Sequence, residues 1–384
     1  MHKRHFWVII ILLLLIAASA TALLIQRHTS NGYTPVDANQ LQQTKPMAAL
    51  ACVKGLPIDL KIGQKIMVAA YIGQLATEIP TLTAAKVDGI IVMGQISKSA
   101  IADYTSSASI VPTVAVDQEG GTVQRYIEEG RFPGATTVAA TLTPEQAYAQ
   151  YLQDAEYLKT VGITTNFAPV VDVASAVPNP LPGRMYSSDP TTVIRYATES
   201  IKASQAAGIT PVIKHFPGLG SSSGNTDFES AVTDSYDTLK DRDLIPYQRL
   251  SGLAPDVMVA NAIVPGLTDG QPAIWSSPAV ALLRSYGYQQ AVVYSDSLTA
   301  KAIPGSLEDA AIKTWAAGVD VALIVQTSDQ TLDLQQYIEQ IITRATGAIA
   351  SGELTEDSLD QSVLRILNRK GVDPCNIVQQ PAIN

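Results

Sequence analysis

The sequence has few cysteines, few histidines and no concentration of positive charge. Its 384 residues include two cysteines and four histidines, and 26 Lys and Arg stand against 35 Asp and Glu, for a formal net charge of -9. A nucleic-acid-binding domain normally presents a basic face. Because Lys and Arg form no cluster here, the composition argues against nucleic acid as a partner.

Histidine is also too scarce for a metal centre. His2, His5 and His28 all fall in the first 28 residues, which leaves His215 for a folded domain. One histidine and scattered carboxylates do not give metal-ligand spacing. The glycine- and serine-rich run 218–224 is not followed by Gly-Lys-Ser/Thr, so it does not indicate a phosphate-binding loop. The sequence therefore predicts no metal and no cofactor.

An apolar segment lies near the N-terminus. Residues 6–25 carry no charged side chain and follow Lys3 and Arg4. At 1.5 Å per residue, about 20 apolar residues cross the hydrocarbon core of a bilayer. We therefore predict a transmembrane anchor within residues 1–28, with the rest of the chain outside the cytoplasm. The small residues 18–20 resemble a cleavage site, so a removed signal and a secreted protein stay open as the alternative.

The remaining chain reads as a tether and one large domain. Residues 29–48 are polar and contain two prolines, which is typical of a linker. Residues 49–384 show no internal break, and a segment of this length is suited to a single large barrel.

Eight short apolar runs recur along this domain, with segments of helical composition between them. The runs are almost continuously apolar, as expected for parallel strands that are covered on both faces. Strand and helix alternate throughout, which predicts an α/β fold, and eight repeats favour a (β/α)8 TIM barrel. The predicted strands are 65–71, 89–93, 112–116, 163–171, 209–213, 257–260, 291–294 and 319–325.

Polar residues follow these strands at the end where TIM-barrel enzymes carry their active sites. For any single position, a solvated turn residue or a helix cap is an adequate explanation. Together they predict a site on one rim. The residues concerned are Asp117, Gln118, Glu119, Asp172, Lys214, His215, Asn261 and Asp296.

The two cysteines lie near opposite ends of the predicted barrel domain. A closed barrel brings its first and last elements together, so Cys52 and Cys375 could form a disulfide outside the cytoplasm. Two buried, unpaired thiols are the alternative. A catalytic cysteine is not indicated, since neither residue has a histidine near it in sequence to activate it.

Four motifs resemble a known family. They are Val-Ala-Val-Asp-Gln-Glu-Gly-Gly-Thr-Val-Gln-Arg at 114–125, Asn-Phe-Ala-Pro-Val-Val-Asp at 166–172, Lys-His-Phe-Pro-Gly at 214–218 and Ser-Asp at 295–296. In this order they resemble glycoside hydrolase family 3, most closely its single-barrel β-N-acetylhexosaminidase branch. The resemblance spans about residues 55–368.

The resemblance implies a retaining exo-β-glycosidase, most closely a β-N-acetylhexosaminidase that acts on cell-wall or related aminosugar glycans. Asp296 would then be the nucleophile, since a retaining enzyme places one carboxylate and one proton donor on opposite faces of the sugar. The same resemblance implies that five polar residues bind the terminal sugar. These residues are Asp117, Arg125, Arg184, Lys214 and His215.

The acid/base of that branch has no counterpart in the sequence. The branch carries Asp-Ser-His in a mobile loop after the fifth strand, whereas residues 219–229 read Leu-Gly-Ser-Ser-Ser-Gly-Asn-Thr-Asp-Phe-Glu. Four hypotheses stay open: Glu229 is the acid/base, Asp227 is, an acid lies elsewhere, or the protein binds glycans without turnover. General acid catalysis typically contributes about 10² to 10⁴-fold to the rate.

Four further departures indicate an altered pocket. Thr122 stands where the branch usually has Arg, Leu219 and Asn261 where it has His, and Ala300 where it has Met. A β-glycosidase with a different sugar preference is therefore a further alternative.

Overall fold

The computed structural model describes residues 47–127, 132–176, 178–325 and 333–378. By its contacts the chain divides after Ala48, and the barrel lies in the second unit, Ala49–Asn384. The predicted anchor within residues 1–28 falls outside the described residues. Within the ranges given above, no helix has both the length and the apolar character needed to cross a membrane.

Eight parallel strands close into a barrel in chain order, with β8 paired to β1. This confirms the predicted (β/α)8 barrel. The strands are β1 Ile66–Tyr71, β2 Gly89–Met93, β3 Thr113–Val116, β4 Thr165–Asn166, β5 Thr210–Phe216, β6 Asp256–Val259, β7 Val293–Ser297 and β8 Val321–Ile324.

β4 is much shorter than the predicted run 163–171. Its ladder ends at Asn166, whose side chain exchanges hydrogen bonds with the backbone of Gln118 at 3.0 and 3.1 Å. Pro169 follows and has no N–H to donate. The apolar run continues beyond this point, but it is no longer a regular strand.

Helices surround the barrel and connect its strands. The helix α5, Pro144–Val161, shows how the sequence sets their ends: Thr143 and Gln146 form a capping box, and Gly162 ends the helix with a φ of 98°. A helical segment at 47–54 comes first. The labelled helices are α1 Ile58–Gly63, α2 Leu75–Ala84, α3 Lys98–Ser107, α4 Ala135–Thr141, α5 Pro144–Val161, α6 Pro190–Ala206, α7 Tyr236–Leu239, α8 Leu244–Leu250, α9 Ser277–Ser285, α10 Leu307–Ala316, α11 Leu334–Ser351, α12 Glu356–Arg369 and α13 Pro374–Val378.

The core has two layers because successive strand side chains point to opposite faces. In β1, Val68 packs with the layer between strands and helices, while Met67 packs with the barrel interior. Phe167 and Tyr294 fill that interior, with ring centroids 5.1 Å apart. The interior is therefore solid below the carboxyl ends of the strands.

The helix α12 closes the opposite end of the barrel. Three buried aspartates stand at the N-terminal ends of strands: Asp88 pairs with Lys370, Asp256 with Arg369 and Asp320 with Arg365, at 2.6 to 2.7 Å. Ile366 of the same helix joins the interior core. The open end is therefore the rim at the carboxyl ends of the strands.

A disulfide joins the two ends of the described chain beneath this base. Cys52 and Cys375 are bonded across a sequence separation of 323 residues. Val53 and Leu56 beside Cys52 share an apolar cluster with Val363 of α12 and Ile377 of α13. The bond therefore ties the first helical segment to the helices that close the barrel.

Reduction of this disulfide should lower the stability of the protein. A crosslink over a loop this long restricts the unfolded chain, and loop entropy sets a contribution of about 4 to 6 kcal/mol. We expect reductant to lower the Tm by several degrees in thermal unfolding followed by circular dichroism. A Cys52→Ser/Cys375→Ser variant is the control and should melt at the reduced temperature with or without reductant. An unchanged Tm after complete reduction would contradict the prediction.

Candidate active site

A cavity of about 490 Å³ opens at the carboxyl ends of the strands. This volume is in the usual range for small-molecule sites. All five predicted sugar-binding residues line it, together with Asp227 and Asp296, and Tyr71, Met93, Met258 and Leu323 contribute apolar wall. Glu229 is absent from the lining.

Lys214 occupies the centre of the polar wall. It lies at the end of β5, is 3% exposed, and its Nζ is 2.7 Å from Asp117 Oδ1 and 2.6 Å from Glu119 Oε1. Burial lowers the pKa of the ammonium, but the two carboxylates outweigh burial and leave that pKa raised. Lys214 therefore stays charged and can donate to a sugar hydroxyl.

Glu119 is the counterion of two cations. Arg184 donates to its two carboxylate oxygens at 2.7 and 2.9 Å, in addition to the contact with Lys214. Burial raises the pKa of Glu119, but Lys214 and Arg184 hold it at about 2. The carboxylate is thus ionised at every working pH. Its role in the site was not assigned from the sequence, although it lies two residues from Asp117 in the same motif.

The turn after Glu119 depends on glycine. Gly120 has a φ of 89°, and a Cβ there would lie 2.5 Å from the carbonyl oxygen of Pro133.

Gln118 braces the same turn. It is held by Asn166 and Asp154, and its side chain accepts the backbone N–H of Arg125 at 2.9 Å. Arg125 reaches Asp117 at 3.5 Å. This turn therefore places Asp117, Glu119 and Arg125 on one wall.

His215 is oriented by Asp172. Its Nδ1 is 2.7 Å from Asp172 Oδ2, and the other carboxylate oxygen accepts the backbone N–H groups of His215 and Leu219 at 3.1 and 2.7 Å. Asp172 is fully buried at the end of the fourth-strand segment. Since Nδ1 is engaged, Nε2 remains on the side of Arg184, 3.5 Å away.

Asp296 lies near the end of β7 and lines the cavity. Its Oδ1 accepts the N–H of Ser297 at 2.7 Å. Burial raises the pKa of Asp296, and the charge of Asp227 adds to the rise, while His215, the Ser297 N–H and Lys214 oppose it. Burial and Asp227 outweigh the opposing groups, so the net pKa of Asp296 is raised and the second carboxylate is close enough to affect it.

The loop that carries Asp227 is held against the loop after β7. The Asn225 side chain accepts the N–H of Asp227 at 2.9 Å. Lys301 and Ala302 donate backbone N–H groups to the carbonyls of Asp227 and Thr226 at 3.3 and 3.2 Å. These bonds bring Asp227 to the cavity that contains Asp296.

Glu229 points elsewhere. Like Asp227 it is exposed, but its carboxylate lies so close to Gly224 that a Cβ on that glycine would be 2.1 Å from Oε1. The loop folds back at this point, since the N–H groups of Phe228 and Glu229 both bond to the carbonyl of Asn225. Of the two carboxylates considered as acid/base, the geometry favours Asp227 over Glu229.

Three further residues singled out in the sequence, Asn261, Leu219 and Ala300, lie at or beside the cavity. Asn261 is buried and donates to the carbonyl of Ser297 at 2.8 Å, so it supports the strand end that carries Asp296. Leu219 and Ala300 line the cavity. Within the described ranges, no group of three or more His, Cys, Asp and Glu residues could hold a metal ion.

Comparison with known proteins agrees with the barrel fold. The model of the glycosyl hydrolase family 3 N terminal domain matches residues 57–369. This chain belongs to glycosyl hydrolase family 3. The predicted family is thereby confirmed, and with it the class of glycoside hydrolases.

Relatives cover almost the whole chain. Beta-hexosaminidase LpqI of Mycobacterium tuberculosis is 33% identical over 382 residues, which cover 92% of this chain and 96% of that protein. The solved LpqI structure has a TM-score of 0.77 at 32% identity, covering 84% of this chain and 96% of its own. A family 3 glycosyl hydrolase structure from Mycobacterium smegmatis has a TM-score of 0.76 at 33% identity, covering 83% and 98%.

Loss of the Glu119 charge should destabilise the fold. Glu119→Gln leaves Lys214 and Arg184 buried without their shared counterion, and breaking such a pair typically costs about 3 to 5 kcal/mol. Since the pKa of Glu119 is lowered to about 2, its stabilisation is complete above the unfolded carboxyl value and is lost only as the pH falls through about 2. Urea unfolding at pH 7 measures the difference.

Glu353→Gln provides the matched control. Glu353 pairs with Arg344 at the surface, where the two side chains are 44% and 32% exposed. Such pairs contribute about 0 to 1 kcal/mol. Equal effects of the two substitutions would show that the buried pairing of Glu119 carries no special stabilisation.

Proposed function

We propose that this protein is a retaining exo-β-N-acetylhexosaminidase with Asp296 as nucleophile and Asp227 as acid/base. The observation that carries the proposal is that both carboxylates line one cavity. The ion pair of Lys214 with Asp117 lines the same cavity. The substrate class is supported by relatives that are named beta-hexosaminidases. Cell-wall or related aminosugar glycans are the proposed source of the terminal sugar.

The proposed reaction has two displacements. The Asp296 carboxylate attacks the anomeric carbon while the Asp227 carboxyl gives its proton to the glycosidic oxygen, so the leaving alcohol departs neutral. A covalent glycosyl-enzyme results. The Asp227 carboxylate then takes a proton from water, the water oxygen attacks the anomeric carbon, and the sugar departs with Asp296 restored as a carboxylate.

The remaining wall binds the sugar. Asp117 supplies acceptors for hydroxyl groups, and Lys214, Arg125 and Arg184 supply donors. Because these residues already bond one another, they are held in place before the sugar arrives. Such preorganisation reduces the ordering cost of binding.

Two other functions are favoured by particular residues. Leu219 and Ala300 line the cavity where the hexosaminidase branch usually has His and Met, which favours a β-glycosidase with a different sugar preference. The missing loop histidine favours a glycan-binding protein without turnover. The same assay separates all three.

The catalytic proposal predicts a graded series of variants. Release of nitrophenol from aryl N-acetyl-β-glucosaminide should fall about 10⁴-fold or more in Asp296→Asn. Asp227→Asn should lose about 10² to 10⁴-fold on substrates with poor leaving groups. The ionised form of Asp296 attacks, and the pKa of this carboxyl is raised. We therefore expect kcat/KM to fall at acid pH, with an apparent pKa above the ordinary Asp value of about 3.9.

Glu229→Gln is the matched control on the same loop, and its activity should stay near that of the unaltered protein. Azide should restore turnover to Asp227→Asn by attacking the glycosyl-enzyme without a general base. Faster turnover of aryl β-glucoside would favour the second glycosidase. Binding of wall fragments with no turnover of any aryl glycoside would leave only the glycan-binding function.

We further propose that residues 1–28 anchor the protein in the membrane, with the barrel outside the cytoplasm. The disulfide between Cys52 and Cys375 supports an oxidising compartment.

The protein should stay with membranes after an alkaline wash, and protease added to cell-wall-free cells should degrade the barrel. A chain without residues 1–28, expressed with a cleavable signal, should be released. Recovery of the full chain in the medium would favour a cleaved signal, and protection from protease would contradict the proposed orientation.

A further inference from the structure

Phe228 is an exposed aromatic residue of the active-site cavity. It lines the active-site cavity, yet it is 70% exposed. None of the other large apolar side chains exposed in the described part of the chain lines this cavity; they are Met47, Ile72, Val111, Ile127 and Val232. An aromatic ring held in water at the mouth of a ligand site gains free energy when a ligand covers it.

The ring is attached to an anchored turn. The N–H of Phe228 bonds to the carbonyl of Asn225 at 3.0 Å, and the loop after β7 donates to the carbonyls of Thr226 and Asp227 just before it. The backbone of Phe228 is therefore fixed before substrate binds, which reduces the cost of ordering an aromatic contact.

The chemistry of Asp227 defines what lies beside Phe228. An acid that protonates the glycosidic oxygen must stand at the junction between the terminal sugar and its leaving group. The terminal sugar occupies the polar wall around Lys214, on the inner side of that junction. Phe228 follows Asp227 directly, lines the same cavity and is 70% exposed, so its ring is open to solvent, into which the leaving group would project.

We propose that Phe228 is a platform for the leaving-group sugar. A pyranose ring presents C–H groups on its faces, and such a face can lie on the phenyl ring while the glycosidic oxygen stays beside Asp227. This inference rests on the proposed function and deepens it: the preferred substrates are disaccharides and longer glycans, in which a second sugar ring is the leaving group.

The experiment compares two substrates that share the terminal sugar and differ in the leaving group. One is N,N′-diacetylchitobiose, and the other is N-acetyl-β-glucosaminyl fluoride, whose leaving group has no ring. Phe228→Ala should lower kcat/KM for the disaccharide about 10-fold, from the lost aromatic contact, while turnover of the fluoride stays within about 2-fold. Phe228→Trp should retain activity on the disaccharide.

Val232→Ala is the matched control, since Val232 is 41% exposed and lies outside the cavity lining. It should leave both substrates unaffected, and an unchanged Tm should show that Phe228→Ala is folded. Equal losses on both substrates, no loss on either, or hydrolysis of the fluoride alone by the unaltered protein would overturn the platform. If the unaltered protein hydrolyses neither substrate, the proposed function itself fails.

Discussion

Compensation of the Lys214 charge organises the rim of this barrel. An ammonium that is 3% exposed cannot stay ionised without counterions, and it has two, Asp117 and Glu119, from the turn after β3. Glu119 in turn holds Arg184 through both carboxylate oxygens. A single buried cation thus connects the ends of β3 and β5 with the loop of Arg184, and the cavity takes its shape from that connection.

This arrangement separates binding from chemistry. Glu119 and Lys214 keep their charges over a wide pH range, because partners of opposite sign lower the pKa of Glu119 and raise that of Lys214. Asp296 is different: it accepts one backbone N–H, its pKa is raised by burial, and the nearby Asp227 raises it further. A carboxylate whose pKa responds to a second carboxylate in the same cavity is the arrangement that glycosidases use to divide roles between two acidic residues. The pairing of Glu119 with Lys214 and Arg184 keeps that carboxylate ionised and out of proton exchange.

The sequence predicted the barrel and most of the cavity wall because both depend on local patterns. Apolar runs mark buried strands, and polar residues directly after them mark the rim, so Asp117, Lys214, His215 and Asp296 were found together. β4 was overestimated because Phe167 to Val171 are as apolar as a strand, whereas the side chain of Asn166 and the missing N–H of Pro169 end its ladder.

Features that depend on distant contacts could not be read in this way. The aspartates at the strand N-termini, Asp88, Asp256 and Asp320, pair with cations of α12 or of its C-cap. These partners lie between 45 and 282 residues away in the chain, and no local motif records them. Glu119 is adjacent to known motif residues, but its double pairing appears only when Arg184 and Lys214 are brought beside it. Likewise, nothing in the string Asp-Phe-Glu distinguishes the carboxylate that faces the cavity from the one that folds back on Gly224.

The two ends of the barrel differ in how well they tolerate amino-acid substitution. The base is fixed by α12, by its buried ion pairs and by the disulfide, so a substitution there disturbs the whole fold. The loop of Asp227 is tied to the body by a few backbone hydrogen bonds, which depend little on side-chain identity. A loop held in this way can exchange the residues it presents without loss of the fold beneath. That is consistent with a loop at 219–229 that departs from the hexosaminidase branch while the motifs at 214–218 and 295–296 are kept.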